Sequence, residues 1–340
     1  MADPARAIAR AFVRGEPLTW LLVASTISII QVITFVATAR AETVLSIDGG
    51  VGLLQNYGLG GNMVANAVLP YLARLYYANV MKAASAVSGG HEQDLEPEIT
   101  TIRDATTGER NYVGTVYLFA FVGLAAWLTN VTFHVLGLAP QHWGHKVFDS
   151  PDHPLLFLLN RLNNLYTWVL ITPLCAHVFL WPTLLLPRVF EAAIARGFAR
   201  FELLHWDRAG GFIAAENAKT IFNVALAVIY LEVTLHTGTF RVAHLDHILV
   251  VASATAALLF GNLWAFNRLN KQLALLRERE METRRRRVYE DDSLSFQILK
   301  FAQEARPPRL VTTVALKAIP IASSFVLKVA PLLPLPHLRP

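Results

Sequence analysis

Two ionisable side chains lie one helical turn apart inside an apolar segment. Glu232 and His236 occur in the run 213–237, which is otherwise mostly apolar. Residues four positions apart share one face of a helix. An ionisable group in hydrocarbon is costly unless it faces protein or water. The pair therefore indicates either a proton or cation site, or a hydrogen bond that locks two helices together.

A second polar stripe occurs near the C-terminus, in the apolar run 311–333. Lys317, Ser324 and Lys328 are separated by seven and four residues, which places them along one side of a helix. Such a helix lines a water-filled pore in which lysines favour anions. It lies equally well in the membrane interface, with its lysines among the headgroups.

Histidines and carboxylates cluster in two short segments that follow apolar runs. Imidazole together with carboxylate suits a divalent transition metal, and histidine alone suits a pH sensor. Interfacial residues at the headgroup level are the alternative. The candidate metal ligands are His134, His142, His145, His244, Asp246 and His247.

A haem held by two histidines is a further redox possibility. The predicted depths of His134 and His177 in the membrane differ by about two helical turns or more. His134 and His236 match better in depth. No strong motif requires a cofactor, so its identity stays unknown, with a divalent metal possible.

The loop before residue 213 combines charged residues with glycines. An aspartate there caps a helix start, and paired glycines permit a sharp turn. The candidates for a structural turn or a gating element are His205, Asp207, Arg208, Gly210 and Gly211. The segment 205–212 resembles the H-P-D-x-A-G-G-L motif of uncharacterised bacterial multipass membrane proteins, with Trp206 in place of proline and Phe212 in place of leucine. The resemblance implies a shared membrane architecture and no activity.

Four consecutive arginines, Arg284–Arg287, follow the last strongly apolar run. Such a run anchors a cytoplasmic segment and attracts anionic lipid headgroups. It also suits docking of an acidic protein partner. Nucleic acid is not expected as a partner, because no aromatic residues are interleaved with the arginines.

The elements that position these residues are apolar runs of about twenty residues, the length that crosses about 30 Å of hydrocarbon. The chain is 54% hydrophobic and 16% charged, against about 25% charged in soluble domains. The composition predicts an all-α, polytopic membrane bundle. Five runs are strong spans, at 19–39, 113–138, 165–187, 213–237 and 248–266. Two are weaker and carry Arg74, or Lys317 and Lys328, at 59–81 and 311–333.

The distribution of cations predicts the topology. With the N-terminus inside, 21 of the 30 lysines and arginines fall in the predicted cytoplasmic segments 1–17, 82–112, 188–212 and 267–310, and five fall in the outer segments. This bias is typical of a bacterial inner-membrane protein. The predicted domains are a bundle over 1–266, a basic helical continuation of the sixth span over 267–310, and a C-terminal helix over 311–340. The segment 82–112 is expected to be a solvated loop.

A polar group precedes the fourth span and marks either a vestibule or the interface. It consists of Asn160, Arg161, Asn163 and Asn164.

The expected function is permeation of small ions through an oligomeric channel or transporter. It rests on the intramembrane polar residues and on small residues in the sixth run, which let helices approach closely. The alternatives are a metal- or haem-binding membrane protein and a non-catalytic subunit that docks a cytoplasmic partner. No nucleotide-binding, hydrolase or zinc-protease motif is present, so an enzyme is the less expected class.

Overall fold

The computed structural model describes residues 3–38, 57–136, 154–199, 211–239, 245–288 and 293–304 of the 340-residue chain. These residues are almost entirely helical and include no strand, which confirms the predicted all-α class. The α-helices are α1 (Pro4–Arg14), α2 (Pro17–Thr38), α3 (Tyr57–Val87), α4 (Glu92–Thr107), α5 (Gly114–Val135), α6 (Pro154–Leu165), α7 (Thr172–Ala195), α8 (Phe212–Thr239), α9 (Leu245–Val288) and α10 (Ser293–Glu304). A 3₁₀ turn, Asn111–Val113, precedes α5, and a π-helix, Tyr166–Ile171, joins α6 to α7.

The first helix is short and strongly amphipathic. Asp3 accepts a hydrogen bond from the Ala5 N–H at 3.0 Å and so caps α1, and Pro4 follows the cap. Phe12 and Val13 are buried on one face, and the Phe12 ring lies 4.6 Å from that of Trp20.

Three polar contacts hold α1 against later parts of the chain. Asp3 accepts a hydrogen bond from the Tyr117 hydroxyl, and Arg10 pairs with Glu109. Arg74 on α3 donates from Nε to the carbonyl of Gly15. Charged and apolar contacts together fix the N-terminal helix on the bundle.

The expectation of a solvated loop over 82–112 was wrong, because α4 occupies Glu92–Thr107. Leu95, Ile99 and Ile102 recur at helical spacing and are at most 5% exposed. Their burial stabilises a helix that Pro97 interrupts only near its start, where few intrahelical bonds are lost.

The chain forms two compact units. The first comprises Met1–Met81, Thr100–Pro182 and Asn217–Leu258. Its core includes three mutually contacting aromatic rings, those of Tyr76, Phe179 and Phe222, with centroid separations of 5.1 to 6.1 Å. Tilted and edge-on ring pairs at such distances add to the stabilisation from burial.

The second unit comprises Lys82–Ile99, Thr183–Glu216 and Leu259–Pro340. Phe190 and Phe212 are buried with their ring centroids 4.9 Å apart. Leu269, Leu273 and Leu276 are buried along one face of α9. The predicted helical continuation beyond residue 266 is present, since α9 is unbroken to Val288. The predicted domain division stays a prediction.

Two helices of the described chain are long and apolar enough to cross a membrane, Arg161–Ala195 and Phe212–Ile229. Shorter apolar helices occupy Pro17–Ile30 and Gly114–Thr129. These four stretches overlap four of the predicted spans. The predicted C-terminal span over 311–333 lies outside the described residues.

Candidate functional site

Four uncharged polar side chains meet inside the first compact unit. Asn62 and Asn66 lie one turn apart on α3, Asn163 lies near the end of α6, and Thr167 lies in the π-helix. Each is at most 8% exposed, and together they form what we term the carboxamide cluster. Buried polar groups in apolar helices are costly unless they bond to one another.

The members of the carboxamide cluster satisfy each other. Asn66 Nδ2 lies 2.8 Å from Thr167 Oγ1, 3.1 Å from Asn62 Oδ1 and 3.4 Å from Asn163 Oδ1. Asn163 Nδ2 donates to Asn62 Oδ1 at 3.0 Å. The Thr167 hydroxyl donates to the Asn163 carbonyl at 2.9 Å. The network holds α3 against the segment 163–167 with no formal charge among its members.

The π-helix places Thr167 in this network. A π-helix bonds each N–H to the carbonyl five residues earlier, and so adds a residue to the turn. Thr167 supplies a hydroxyl proton to the Asn163 carbonyl. Such local widenings of an α-helix are frequent at functional sites.

Helix α5 packs against the same segment. An ideal Cβ at Gly123 would lie 2.1 Å from the carbonyl oxygen of Trp168, so only glycine allows this approach. One turn later, Trp127 Nε1 donates to the Arg161 carbonyl at 2.8 Å. The segment 161–168 therefore contacts both α5 and the asparagines of α3.

A second buried polar group surrounds His177 on α7. Nε2 lies 3.2 Å from the Thr106 carbonyl and Nδ1 lies 2.6 Å from Thr115 Oγ1. A carbonyl only accepts hydrogen bonds, so Nε2 carries the proton and Nδ1 accepts from Thr115. Trp181 Nε1 donates to the same hydroxyl oxygen at 3.1 Å. Both nitrogens of His177 thus contact protein groups, which leaves neither available for a haem.

Two cations that lie inside predicted apolar spans, Arg74 and Lys219, belong to the described part of the chain. Besides its bond to Gly15, the Arg74 guanidinium lies 5.5 Å from the centre of the Tyr77 ring. Lys219 on α8 is 4% exposed. The Arg74 head group thus reaches a polar partner while its stem is partly buried, as is usual for long cationic side chains.

The structure leaves the predicted permeation residues untested. Glu232 and His236 lie on α8, and their side chains are not among those described. Lys317, Ser324 and Lys328 lie outside the described residues. Their roles stay predictions.

The side chains of the six predicted metal ligands are likewise not among those described. His134 lies on α5, and Asp246 and His247 begin α9, all three with side chains that are not described. His142, His145 and His244 lie outside the described residues. Within the described part of the chain, no three histidine, cysteine, aspartate or glutamate residues are grouped so as to hold a metal ion.

Gly211 is the one described member of the predicted turn. It has a φ of +84°, and an ideal Cβ there would lie 2.3 Å from the Ala83 carbonyl oxygen. Glycine is thus required both for the backbone conformation and for the close approach to α3. His205, Asp207, Arg208 and Gly210 lie outside the described residues.

The arginine run lies at the end of α9. Arg284 pairs with Glu280 and Arg286 with Glu282, each at 3.0 Å across one helical turn. Arg285 and Arg287 are exposed. Cations near a helix C-terminus also interact favourably with the helix dipole.

Part of the carboxamide cluster was visible in the sequence. Asn163 belongs to the polar group noted before the fourth span. Asn62 and Asn66 were missed, although two amides four residues apart on an apolar helix are a usable signal. His177 was considered only as a haem ligand.

Comparison with known proteins adds no relative. No protein-family model, no curated protein and no solved structure matches this chain.

Proposed function

We propose that the chain is a multipass inner-membrane protein that lets a small ion cross the bilayer, as an oligomeric channel or transporter. The carboxamide cluster carries this proposal. Polar residues inside membrane spans are costly, and they mark ion or substrate paths in many membrane proteins. Four of them meet here on two apolar helices at a π-helix.

Exposed apolar surface supports a membrane location. Helices α2 and α5 contain no aspartate, glutamate, lysine or arginine. Ile33 on α2 is 61% exposed and Phe121 on α5 is 69% exposed, and further leucines and isoleucines are exposed beside them. A contiguous apolar surface of this kind is costly in water and favourable in lipid.

The second compact unit supports the proposed topology. Each of its three ranges overlaps a predicted cytoplasmic segment, namely 82–112, 188–212 or 267–310. It contains the half-exposed ion pairs of Arg196 with Glu98 and of Arg268 with Glu191. Such pairs are well solvated in water, and their transfer into hydrocarbon costs free energy.

The exposed arginines at the end of α9 extend the proposal to partners. Arg285 and Arg287 are available to anionic lipid headgroups or to an acidic protein on the cytoplasmic side. Vesicle binding tests the lipid as partner. The purified chain and the variant Arg285→Gln/Arg287→Gln are compared on vesicles with and without phosphatidylglycerol, and we expect the variant to lose the preference for phosphatidylglycerol.

A lipid-quenching experiment tests the membrane location. Single cysteines replace Phe121 on α5 or Arg286 on α9 in a Cys175→Ala background, and each carries an environment-sensitive fluorophore. In nanodiscs, lipids with a quencher on the acyl chain should quench the label at position 121 and leave that at 286 bright. Equal brightness at both positions would remove the proposal that α5 faces lipid.

Flux measurements test permeation. Proteoliposomes are loaded with sodium or potassium salt, and dye-reported flux is compared for the wild type, Asn66→Leu and Asn79→Leu. Asn79 is a matched control, since it lies on the same helix and, among the described residues, donates to the Leu75 carbonyl one turn earlier. We expect loss of flux only in Asn66→Leu. Flux equal to that of empty liposomes in the wild type would contradict the proposal.

A further inference from the structure

The amide nitrogen of Asn66 occupies an unusual position in the carboxamide cluster. Three oxygens from three residues lie around Nδ2, namely Thr167 Oγ1, Asn62 Oδ1 and Asn163 Oδ1, at 2.8 to 3.4 Å. An amide nitrogen has two protons, so it cannot make three full hydrogen bonds. The oxygens therefore surround one centre of partial positive charge.

The remaining bonds of the cluster fix these oxygens independently of Asn66. The hydroxyl proton of Thr167 is directed at the Asn163 carbonyl, which leaves the lone pairs of Oγ1 toward Asn66. Asn163 Nδ2 donates to Asn62 Oδ1 and holds that amide in place. The oxygens are thus positioned whether or not Asn66 Nδ2 lies between them.

A change of the Asn66 side-chain rotamer withdraws Nδ2 from between these three oxygens and turns Oδ1 toward the vacated centre. The site then presents four oxygens, from Asn62, Asn66, Asn163 and Thr167, and no proton between them. Four converging oxygens repel one another unless a cation lies at their centre. Neutral oxygens of this type replace the hydration shell of alkali ions in channels.

We propose that the carboxamide cluster binds a dehydrated monovalent cation, and that the Asn66 amide group occupies the site until it rotates and gives way to the ion. No carboxylate belongs to the cluster, and calcium and magnesium sites use carboxylates. Arg161 lies two residues before Asn163 and hence on another face of the helix. The assignment deepens the proposed permeation function, but cation binding is measurable without flux.

Thermal unfolding of the full chain in neutral detergent tests the site. The protein is titrated with sodium, potassium or choline chloride at constant total ionic strength. We expect a saturable rise of the Tm with sodium or potassium and none with choline, which is too large to enter. Asn66→Leu and Thr167→Val should abolish the rise, and Thr167→Ser and Asn79→Leu should keep it.

A gain of affinity separates ion binding from a merely structural role. Asn66→Asp replaces the amide by a carboxylate of the same shape, which attracts a cation at the same centre. The concentration of cation at half-saturation should fall about tenfold. A structural role of Asn66 predicts lower stability in this variant and no change in the cation dependence.

Three results would overturn the proposal: equal effects of choline and alkali ions on the wild type, a retained saturable rise in both Asn66→Leu and Thr167→Val, or an unchanged half-saturation in Asn66→Asp. If Asn66→Leu does not fold, Thr167→Val and Asn66→Asp decide. Saturable binding without flux supports the proposed cation site and contradicts the proposed permeation function. Flux without saturable binding removes the site alone.

Discussion

Gly123 on α5 and Trp168 in the π-helix are in direct backbone contact. A methyl group at position 123 would approach the Trp168 carbonyl oxygen to 2.1 Å. Because backbone cannot move aside as a flexible side chain can, Gly123→Ala must displace α5 or the π-helix. We expect the free energy of unfolding to fall by about 2 kcal/mol or more.

Gly114→Ala is the matched control for that substitution, since it lies on the same helix and a Cβ there meets nothing within 4 Å. It should be neutral or stabilising by up to about 1 kcal/mol. Denaturant titration of both variants checks the pair. Equal stability of the two would contradict the contact.

The hydroxyl of Thr115 is expected to stabilise the surroundings of His177. Thr115→Val keeps the shape but removes the partner of His177 Nδ1 and of the Trp181 indole N–H. Leaving buried polar groups unpaired costs about 1 to 3 kcal/mol. The Tm should fall clearly in this variant and little in Thr115→Ser. Thr129→Val, which removes an exposed bond to the Ala125 carbonyl, serves as the control.

The pair of Glu191 and Arg268 should show measurable coupling. Arg268 donates to both carboxylate oxygens, with Nη2 2.7 Å from Oε2, and its guanidinium lies 5.1 Å from the Trp264 ring centre. A double-mutant cycle with Glu191→Gln and Arg268→Gln should give about 1 kcal/mol, the upper end for exposed pairs. The single-turn pair of Arg286 and Glu282 should give about 0.3 kcal/mol. A smaller coupling for Glu191 than for Glu282 would disagree with the geometry.

The docking of α1 should weaken only at acidic pH. The hydrogen bond from the Tyr117 hydroxyl is the main cause that lowers the pKa of Asp3, and bonds from its own helix add to it. A carboxyl with a lowered pKa stabilises the folded state above its ordinary pKa, and this stabilisation is lost as the pH falls through the lowered value. Proteolysis within α1 should therefore be constant from neutral pH down to about pH 4 and rise below it. Asp3→Asn, which keeps a capping side chain, should remove most of that rise.

Helix positions could be predicted from the sequence, because long apolar runs signal helices strongly. The run predicted at 19–39 is α2 from Pro17 to Thr38, and that at 113–138 is α5 from Gly114 to Val135. Helix α4 was missed because its buried apolar residues are separated by charged and polar ones and Pro97 lies among them.

The carboxamide cluster could not be assembled from the sequence. Asn66 and Thr167 are separated by 101 positions, and helical periodicity does not show which helix faces which. The π-helix is also invisible in composition, since Tyr166–Ile171 has the same residue types as an ordinary apolar helix. Sequence marks which residues are costly to bury, and packing decides which of them meet.

The contacts of α1 set an order of events during synthesis. This helix leaves the ribosome before Arg74, Glu109 and Tyr117, which hold it and are made later in the chain. At bacterial to eukaryotic rates of translation, the wait for Tyr117 lasts about 5 to 20 seconds. During that time α1 lacks its contacts with Glu109 and Tyr117 and is open to the membrane surface or to a chaperone.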